Sequence, residues 1–246
     1  MKTILSYLLS PVYLLIFGLA VLIFHPVQIV CRWIGGYQLR KKSVDVMNYI
    51  LVYAFTVLGC RIRFKGFDQL PKDRPFIIVS NHQSTFDIPP IVIGFRKHHP
   101  KFVSKIELGK GIPSISYNLR HGGSALIDRK NPRQAVVEIM KLGKHIEKEK
   151  YCASIFPEGT RSKDGKVKRF QHAGIASLLK YAPSALIVPF VIDGNSKLTE
   201  KGYFPLTFGT PLTYTVLPAI DPAGRDIKEL TKEIEMQIKK ELGQTD

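Results

Sequence analysis

From Thr3 to Cys31 the chain carries no Asp, Glu, Lys or Arg, in the run TILSYLLSPVYLLIFGLAVLIFHPVQIVC. This exceeds the roughly 20 apolar residues that cross a bilayer, so the segment belongs in lipid. A cleaved signal peptide fits less well, because the stretch is too long for a usual hydrophobic region and no A-x-A-like site follows. Pro11 and Pro26 lie inside it. Each removes a backbone donor and is an expected bend toward a re-entrant path. Arg32, Arg40, Lys41 and Lys42 follow the run, whereas only Lys2 precedes it, which puts its C-terminal end in the cytoplasm. A second apolar run, Val44 to Cys60, contains Asp45 and Asn48 and has basic residues on both flanks. It is short for a span and is expected in the interface, or packed on a globular domain, as an amphipathic helix. Residues 1–60 are therefore expected to form an N-terminal membrane-associated helical segment, and residues 61–246 an α/β domain on the cytoplasmic face of the cell membrane.

Beyond Arg61, strand-like runs at 76–80, 102–104, 124–128, 153–156 and 185–192 alternate with helical ones at 88–95, 112–119, 132–149, 172–180 and 226–242. Such alternation predicts an α/β sheet. In the last helix Ile227, Leu230, Ile234, Ile238 and Leu242 recur at helical spacing, which marks a packing face. The net charge of +16 predicts attraction to polyanions, either nucleic acid or an anionic lipid surface. The apolar N-terminus and the lack of a recognition motif favour anionic membrane lipids and no nucleic acid. The three cysteines, Cys31, Cys60 and Cys152, are widely spaced without a CxxC; they read as buried thiols in a reducing compartment. The histidines show no HExxH or other metal-ligand spacing, so no metal and no organic cofactor are expected.

The chemistry gathers in RPFIIVSNHQSTFDIPP, Arg74 to Pro90. Phe76 to Ser80 reads as a buried strand that delivers Asn81, His82 and Asp87 into a polar turn. On a continuous helix a spacing of five separates side chains by about 140°, so His82 and Asp87 meet only if a turn folds between them. Pro89 and Pro90, tolerated in a helix only in its first turn, start the helix near Asp87 and leave room for that turn. Alone, the pair reads equally as a strand-closing histidine and a helix N-cap. Downstream, FPEGTRS, Phe156 to Ser162, is another strand end entering a Pro/Gly-rich loop with a carboxylate and an arginine. Ligands of open α/β sheets bind beyond the carboxyl ends of the strands, so His82, Asp87, Glu158 and Arg161 are expected at one cleft. Gly159, lacking a side chain, lets backbone amides approach a ligand.

NHQSTFD and FPEGTRS resemble the first and third signature blocks of the 1-acylglycerol-3-phosphate acyltransferase (lysophosphatidate acyltransferase) family. The block between them is similar to Lys105 to Arg129, through Lys105, Glu107, Leu108, Pro113, Gly123, Asp128 and Arg129, and the last to Val188-Pro189-Phe190. The chain departs from the pattern at Ile106, where a second basic residue is common, and at Ser116, where a glycine is common. Four ordered blocks over roughly Gly66 to Leu212 are far more specific than one histidine-aspartate pair.

The resemblance implies a mixed sheet flanked by helices, the glycerolipid acyltransferase fold, with an N-terminal membrane-embedded helical pair. It implies acyl transfer from acyl-CoA or acyl-carrier protein to the sn-2 hydroxyl of lysophosphatidate, giving phosphatidate. His82 would be the general base and Asp87 its orienting carboxylate, with no acyl-enzyme. Arg161, Arg129 and Lys105 are the expected phosphate ligands, Glu158 positions the glycerol part, and Val188 and Pro189 are candidates for the acyl pocket or for the core. Other acceptors, such as glycerol 3-phosphate, a lyso-aminolipid or another lysophospholipid, remain alternatives, as does a non-catalytic lipid-binding protein.

Overall fold

The computed structural model describes residues 1–244. Helix α1 (Lys2–Tyr53) is broken once, at Gly35 (φ −126, ψ 19) and Gly36 (φ 61, ψ −146). Positive φ with so extended a ψ is open almost to glycine alone. Neither Pro11 nor Pro26 breaks the helix, whose backbone stays helical through both. A proline removes one rung of the ladder while adjacent turns and packing hold the rest, whereas the paired glycines let the chain reverse.

The two arms of α1 pack on each other through Ala20, Met47 and Leu51, with Phe17 and Phe24 against them. The first arm is also pinned to the rest of the chain. Phe208 N–H donates to Ser6 Oγ at 2.9 Å, Leu206 N–H to Ser10 Oγ at 2.8 Å, and Ser114 Oγ to Val21 O at 2.7 Å. These anchors cover roughly 22 Å of helix. The opposite face presents Ile4, Leu8, Val12, Leu15, Leu19 and Leu22 to the surroundings, spaced three or four residues apart, a one-sided apolar stripe. In the second arm Met47 and Leu51 face the first arm while Val44 joins the domain core, so this run packs on the domain, one of the two placements expected for it.

The remaining elements follow in order: β1 (Arg61–Lys65), β2 (Phe76–Ser80), α2 (Ile88–Gly94), β3 (Lys101–Lys105), α3 (Ile115–His121), β4 (Ala125–Ile127), α4 (Pro132–Glu149), β5 (Cys152–Ile155), α5 (His172–Tyr181), β6 (Leu186–Asp193), α6 (Asn195–Leu198), β7 (Pro211–Val216) and α7 (Ile227–Glu241). The strands form one mixed sheet in the order β1-β7-β6-β2-β5-β3-β4, with every neighbouring pair parallel except β6 and β7. Strand β2 is central and wholly buried, and its alternate side chains serve two cores. Phe76 and Ile78 pack with Tyr13, Phe55 and Phe86 on the side of α1 and α2, and Ile77 and Val79 with Ile146, Ile175 and Ile234 on the side of α4, α5 and α7.

Strands β1 and β7 have no counterpart in the sequence-based element list. In β1 the side chains of Arg61, Arg63 and Lys65 are exposed and alternate with half-buried Ile62 and Phe64. Charge on an outer strand blocks pairing with another chain, and the same lysine and arginines read as a membrane flank in the bare sequence. All three cysteines are free; Cys60 and Cys152 are buried and Cys31 is half-buried.

Candidate active site

The site begins where β2 ends. Asn81 takes the place of a strand residue: its Nδ2 donates to Ile192 O at 2.8 Å and its Oδ1 accepts from Ile192 N–H at 2.9 Å. This fastens the chain to β6 just before it turns. The next residues make a capped 3-10 turn, Thr85–Asp87, in which Phe86 N–H donates to Ser84 Oγ at 3.0 Å. Helix α2 follows, with Pro89 and Pro90 in its first turn. The turn required between His82 and Asp87 is thus present, and the two side chains meet at 2.7 Å, Nδ1 to Oδ2.

Asp87 is fully buried and its carboxylate accepts four hydrogen bonds. Oδ2 takes His82 Nδ1–H together with the N–H groups of Gln83 at 2.7 Å and Ser84 at 3.0 Å. Oδ1 takes Asn195 Nδ2 at 2.7 Å. Four donors offset the large cost of removing a carboxylate from water. With its Nδ1 proton committed to Asp87, His82 leaves Nε2 as a free acceptor. The ring stacks on Phe156, centroids 4.1 Å apart, and keeps 19% of its side chain exposed, enough for a substrate to reach it.

The FPEGTRS loop is sewn to this turn through the backbone of His82. Ser162 N–H donates to His82 O at 2.7 Å, and His82 N–H donates to Glu158 Oε1 at 2.8 Å. Glu158 Oε2 accepts from Lys168 N–H at 3.3 Å. Both oxygens of Glu158 therefore hold protein backbone, so its observed partners are those of a brace under His82, whereas the sequence reading aimed it at the glycerol part. Burial pushes its carboxyl up to about 7, against the opposing pull of those two N–H groups. Gly159 adopts φ +70 with open space where a Cβ would stand, a backbone angle that favours glycine in this turn.

Arg161 is exposed beside His82's turn, its Nη1 donating to Thr85 Oγ1 at 2.6 Å and to Tyr203 Oη at 2.5 Å. Lys168 Nζ donates to Arg161 O at 2.8 Å, which adds a second cation there. Lys105 ends β3 and Arg129 follows β4, so both stand at the carboxyl end of the sheet and are exposed. Neighbouring strands lie about 4.8 Å apart; with β5 between β2 and Lys105, and both β5 and β3 between β2 and Arg129, they sit further along the same rim and are not drawn into the His82–Asp87 network. Val188 is fully buried among the core side chains, and Pro189 beside it is buried too. Of the two readings kept for them, their positions are those of core residues.

Asn195, Tyr214, Thr85 and Tyr203 were not singled out in the sequence. Asn195 follows the turn at Gly194, whose φ of +95 and 2.1 Å approach of a would-be Cβ to Pro211 O exclude any other residue. Tyr214, buried in β7, donates its hydroxyl to Asn195 Oδ1 at 3.1 Å. A Gly-Asn pair after a strand was the one local signal for Asn195, and nothing local tied it to Asp87.

Comparison with known proteins bears on the family and the fold. The family model for Acyltransferase matches residues 61–193, more than half of the chain. The crystal structure of the 1-acyl-sn-glycerophosphate (LPA) acyltransferase PlsC from Thermotoga maritima superposes with a TM-score of 0.79 at 28% identity, covering 99% of this chain and 97% of that one. A chloroplastic 1-acyl-sn-glycerol-3-phosphate acyltransferase of Arabidopsis thaliana is 32% identical over 143 residues, which is 58% of this chain and 38% of the relative. The Saccharomyces cerevisiae 1-acyl-sn-glycerol-3-phosphate acyltransferase is 28% identical over 176 residues, 72% of this chain and 56% of the relative. The chain thus spans less than two thirds of the length of these curated relatives. With its mixed sheet, its flanking helices and a family match that spans both motif loops, the chain belongs to the acyltransferase family.

Proposed function

We propose that the chain transfers a fatty acyl group from the thioester of acyl-CoA or acyl-carrier protein to the sn-2 hydroxyl of 1-acylglycerol 3-phosphate, giving phosphatidate. The observation that carries this reading is the His82–Asp87 pair at 2.7 Å with Nε2 left free. Nε2 takes the proton of the substrate hydroxyl as that oxygen attacks the thioester carbonyl. The C–S bond breaks as the ester forms, and the imidazolium returns its proton to the leaving thiolate. Asp87 holds the ring's tautomer and stabilises the imidazolium, as in a Ser-His-Asp triad with the substrate hydroxyl in place of serine. No acyl-enzyme is needed, and buried Cys152 supplies no nucleophile, since burial pushes its thiol well up.

Arg161, with Lys168 beside it, is the nearest phosphate ligand; Lys105 and Arg129 complete a cationic rim for the phosphate of the acceptor or of the donor. Glu158 holds the His82 backbone in place. Residues 1–60 act as the membrane arm and 61–246 as the catalytic domain. The anchors from Ser6 to Val21 lay the first arm along the domain, so its exposed stripe enters one leaflet, at the cytoplasmic face, with anionic lipids around its basic flanks.

The test is transfer from labelled acyl-CoA, and separately from acyl-carrier protein, to lysophosphatidate in detergent micelles, with the product identified as phosphatidate. The expected result is phosphatidate from at least one donor, reduced about 10²- to 10⁴-fold by His82→Ala. A folded wild-type protein that makes no phosphatidate from either donor overturns the acceptor assignment; glycerol 3-phosphate and other lysolipids are then the acceptors to try, and failure with all of them leaves lipid binding without turnover.

A further inference from the structure

At the amino end of the sheet, opposite the motif loops, the chain buries two cations without a carboxylate. Lys101 opens β3 and is 3% exposed; Arg40, one turn beyond the glycine break of α1, is 2% exposed. Lys101 pairs in register with Ala153, which sits beside Ile77, five residues before His82. At about 3.3 Å per residue the two sites are offset by roughly 16 Å along the strand direction, with one strand between them.

The side-chain partners of both cations are neutral. Lys101 Nζ donates to Tyr37 Oη at 2.6 Å and lies 4.6 and 4.9 Å from the ring centroids of Tyr37 and Tyr151. Arg40 Nη1 donates to Asn118 Oδ1 at 2.6 Å, while its buried Nε has no acceptor at all. The nearby carboxylate, Asp45, is engaged with Lys41 at 2.5 Å. Among the described residues, neither Arg40 nor Lys101 has a carboxylate within ion-pair distance. Buried charge without countercharge costs several kcal/mol per ion, and an unpaired buried N–H adds about 1–3 kcal/mol. Burial, with Arg40 next in weight, accordingly pushes the Lys101 ammonium down to about 7.

A cavity of about 30 Å³ lies between these groups, lined also by Ser124, His99 and the Lys41–Asp45 ion pair, so the charged groups around it are three cations and one carboxylate. It has room for about two water-sized oxygens. Ser124 Oγ accepts from Phe102 N–H at 3.1 Å, which leaves its hydroxyl proton to give. The donors facing this space are thus a guanidinium edge, an ammonium and a hydroxyl, a set suited to two oxygens of one tetrahedral anion. The pocket is also next to the tip of the helical pair, where Trp33 and Ile34 stand exposed and Tyr37 and Arg40 turn inward.

We infer that this pocket is an anion site for a phosphate group, held between Arg40 of the membrane arm and Lys101 of the sheet. The inference is independent of the reaction assigned to His82. Two sources offer the same chemistry: the phosphodiester of a lipid headgroup, reaching in from the hairpin tip, and free phosphate. Bound there, the anion ties the arm to the catalytic domain through charge.

The full chain, purified in maltoside detergent without phosphate, is titrated with phosphatidylglycerol, with diacylglycerol as the uncharged control, and separately with inorganic phosphate, following the thermal midpoint. Wild type is expected to rise with phosphatidylglycerol and not with diacylglycerol. The apparent affinity should fall about tenfold or more in Arg40→Gln and in Lys101→Met, and persist in Arg161→Ala, which disables the motif-loop cation. A rise with phosphatidylglycerol alone assigns the headgroup; an equal rise with inorganic phosphate assigns the soluble anion. No rise with either, or a rise that Arg161→Ala abolishes and Arg40→Gln leaves intact, overturns the site. Should both pocket variants misfold, diffraction from wild-type crystals grown with each ligand decides: tetrahedral density between Arg40 Nε and Lys101 Nζ supports it, and water alone there refutes it.

Discussion

The two ends of the sheet bury charge in opposite ways. At the carboxyl end, Asp87 is enclosed and every partner its carboxylate needs is supplied by the chain: His82, two backbone N–H groups and Asn195. At the amino end, Arg40 and Lys101 are enclosed just as deeply, yet they share neutral partners and an orphaned Nε. The first arrangement is complete before any substrate arrives, as the imidazolium of the proposed mechanism requires of a preorganised site. The second is complete only when something negative enters. Burial therefore marks both places, and hydrogen-bond satisfaction tells the finished site from the one that waits.

The largest effect that would sharpen this contrast is expected from Asp87→Asn. An amide oxygen at the Oδ2 position still accepts from His82 and from the N–H groups of Gln83 and Ser84, so the tautomer and the turn survive. The amide nitrogen then faces Asn195 Nδ2, a conflict relieved when Asn195 flips. What is lost is the charge. Turnover is expected to drop about 10²- to 10⁴-fold with the substrate KM little changed, read by steady-state acyl transfer. Near wild-type turnover would mean that orientation alone is what Asp87 provides.

Much of this end was legible in the sequence, because its determinants are local. A strand of β-branched residues, two prolines and a spacing of five forced a turn that brings His82 to Asp87, and the helix 132–149 was bounded by the same residues that bound α4. The other features depend on distant pairings. Strand β1 is held by β7, 150 residues away in register (Arg61 with Pro211); its alternating basic residues carried no apolar run to reveal it. Asn195 reaches Asp87 across 108 positions. The prolines of α1 leave the helix unbroken because a breaker's effect is set by what packs around it, and the reversal falls at Gly35–Gly36. The Lys101 pocket was invisible because Lys101, Arg40 and Ser124 come from three separate elements.

Glu158 joins the two kinds of burial: its oxygens are satisfied by N–H groups, yet its carboxyl is raised to about 7. An acid raised from its usual 4.5 binds more protons folded than unfolded, so its contribution to stability is present below about 4.5 and is lost as pH rises through 7. Glu158→Gln should flatten that decline, measured as thermal midpoint against pH from 4 to 8, roughly the window of the shift. Because a glutamine has one acceptor for two N–H donors, its NH₂ opposes either His82 N–H or Lys168 N–H. Turnover should fall about tenfold to a hundredfold through displacement of His82. A variant that loses turnover but keeps the slope of midpoint with pH would separate the brace from the titration.

The smallest expected effects test how far the satisfied network extends. Asn195→Ala leaves Asp87 Oδ1 buried without its donor, at a cost of about 1–3 kcal/mol, and Tyr214→Phe removes the hydroxyl that fixes Asn195 at about 0.5–1.5 kcal/mol. Neither residue is among the donors to His82, so both act as positioning residues through Asp87. The signature of that role is a kcat lowered about tenfold in Asn195→Ala and less in Tyr214→Phe, with KM unchanged and the acid limb of the kcat profile displaced. Since the two substitutions interrupt one chain of contacts, their combination should cost little more than Asn195→Ala alone. Full additivity would mean that Tyr214 acts on the core and not on Asp87, and the network would then end at Asn195.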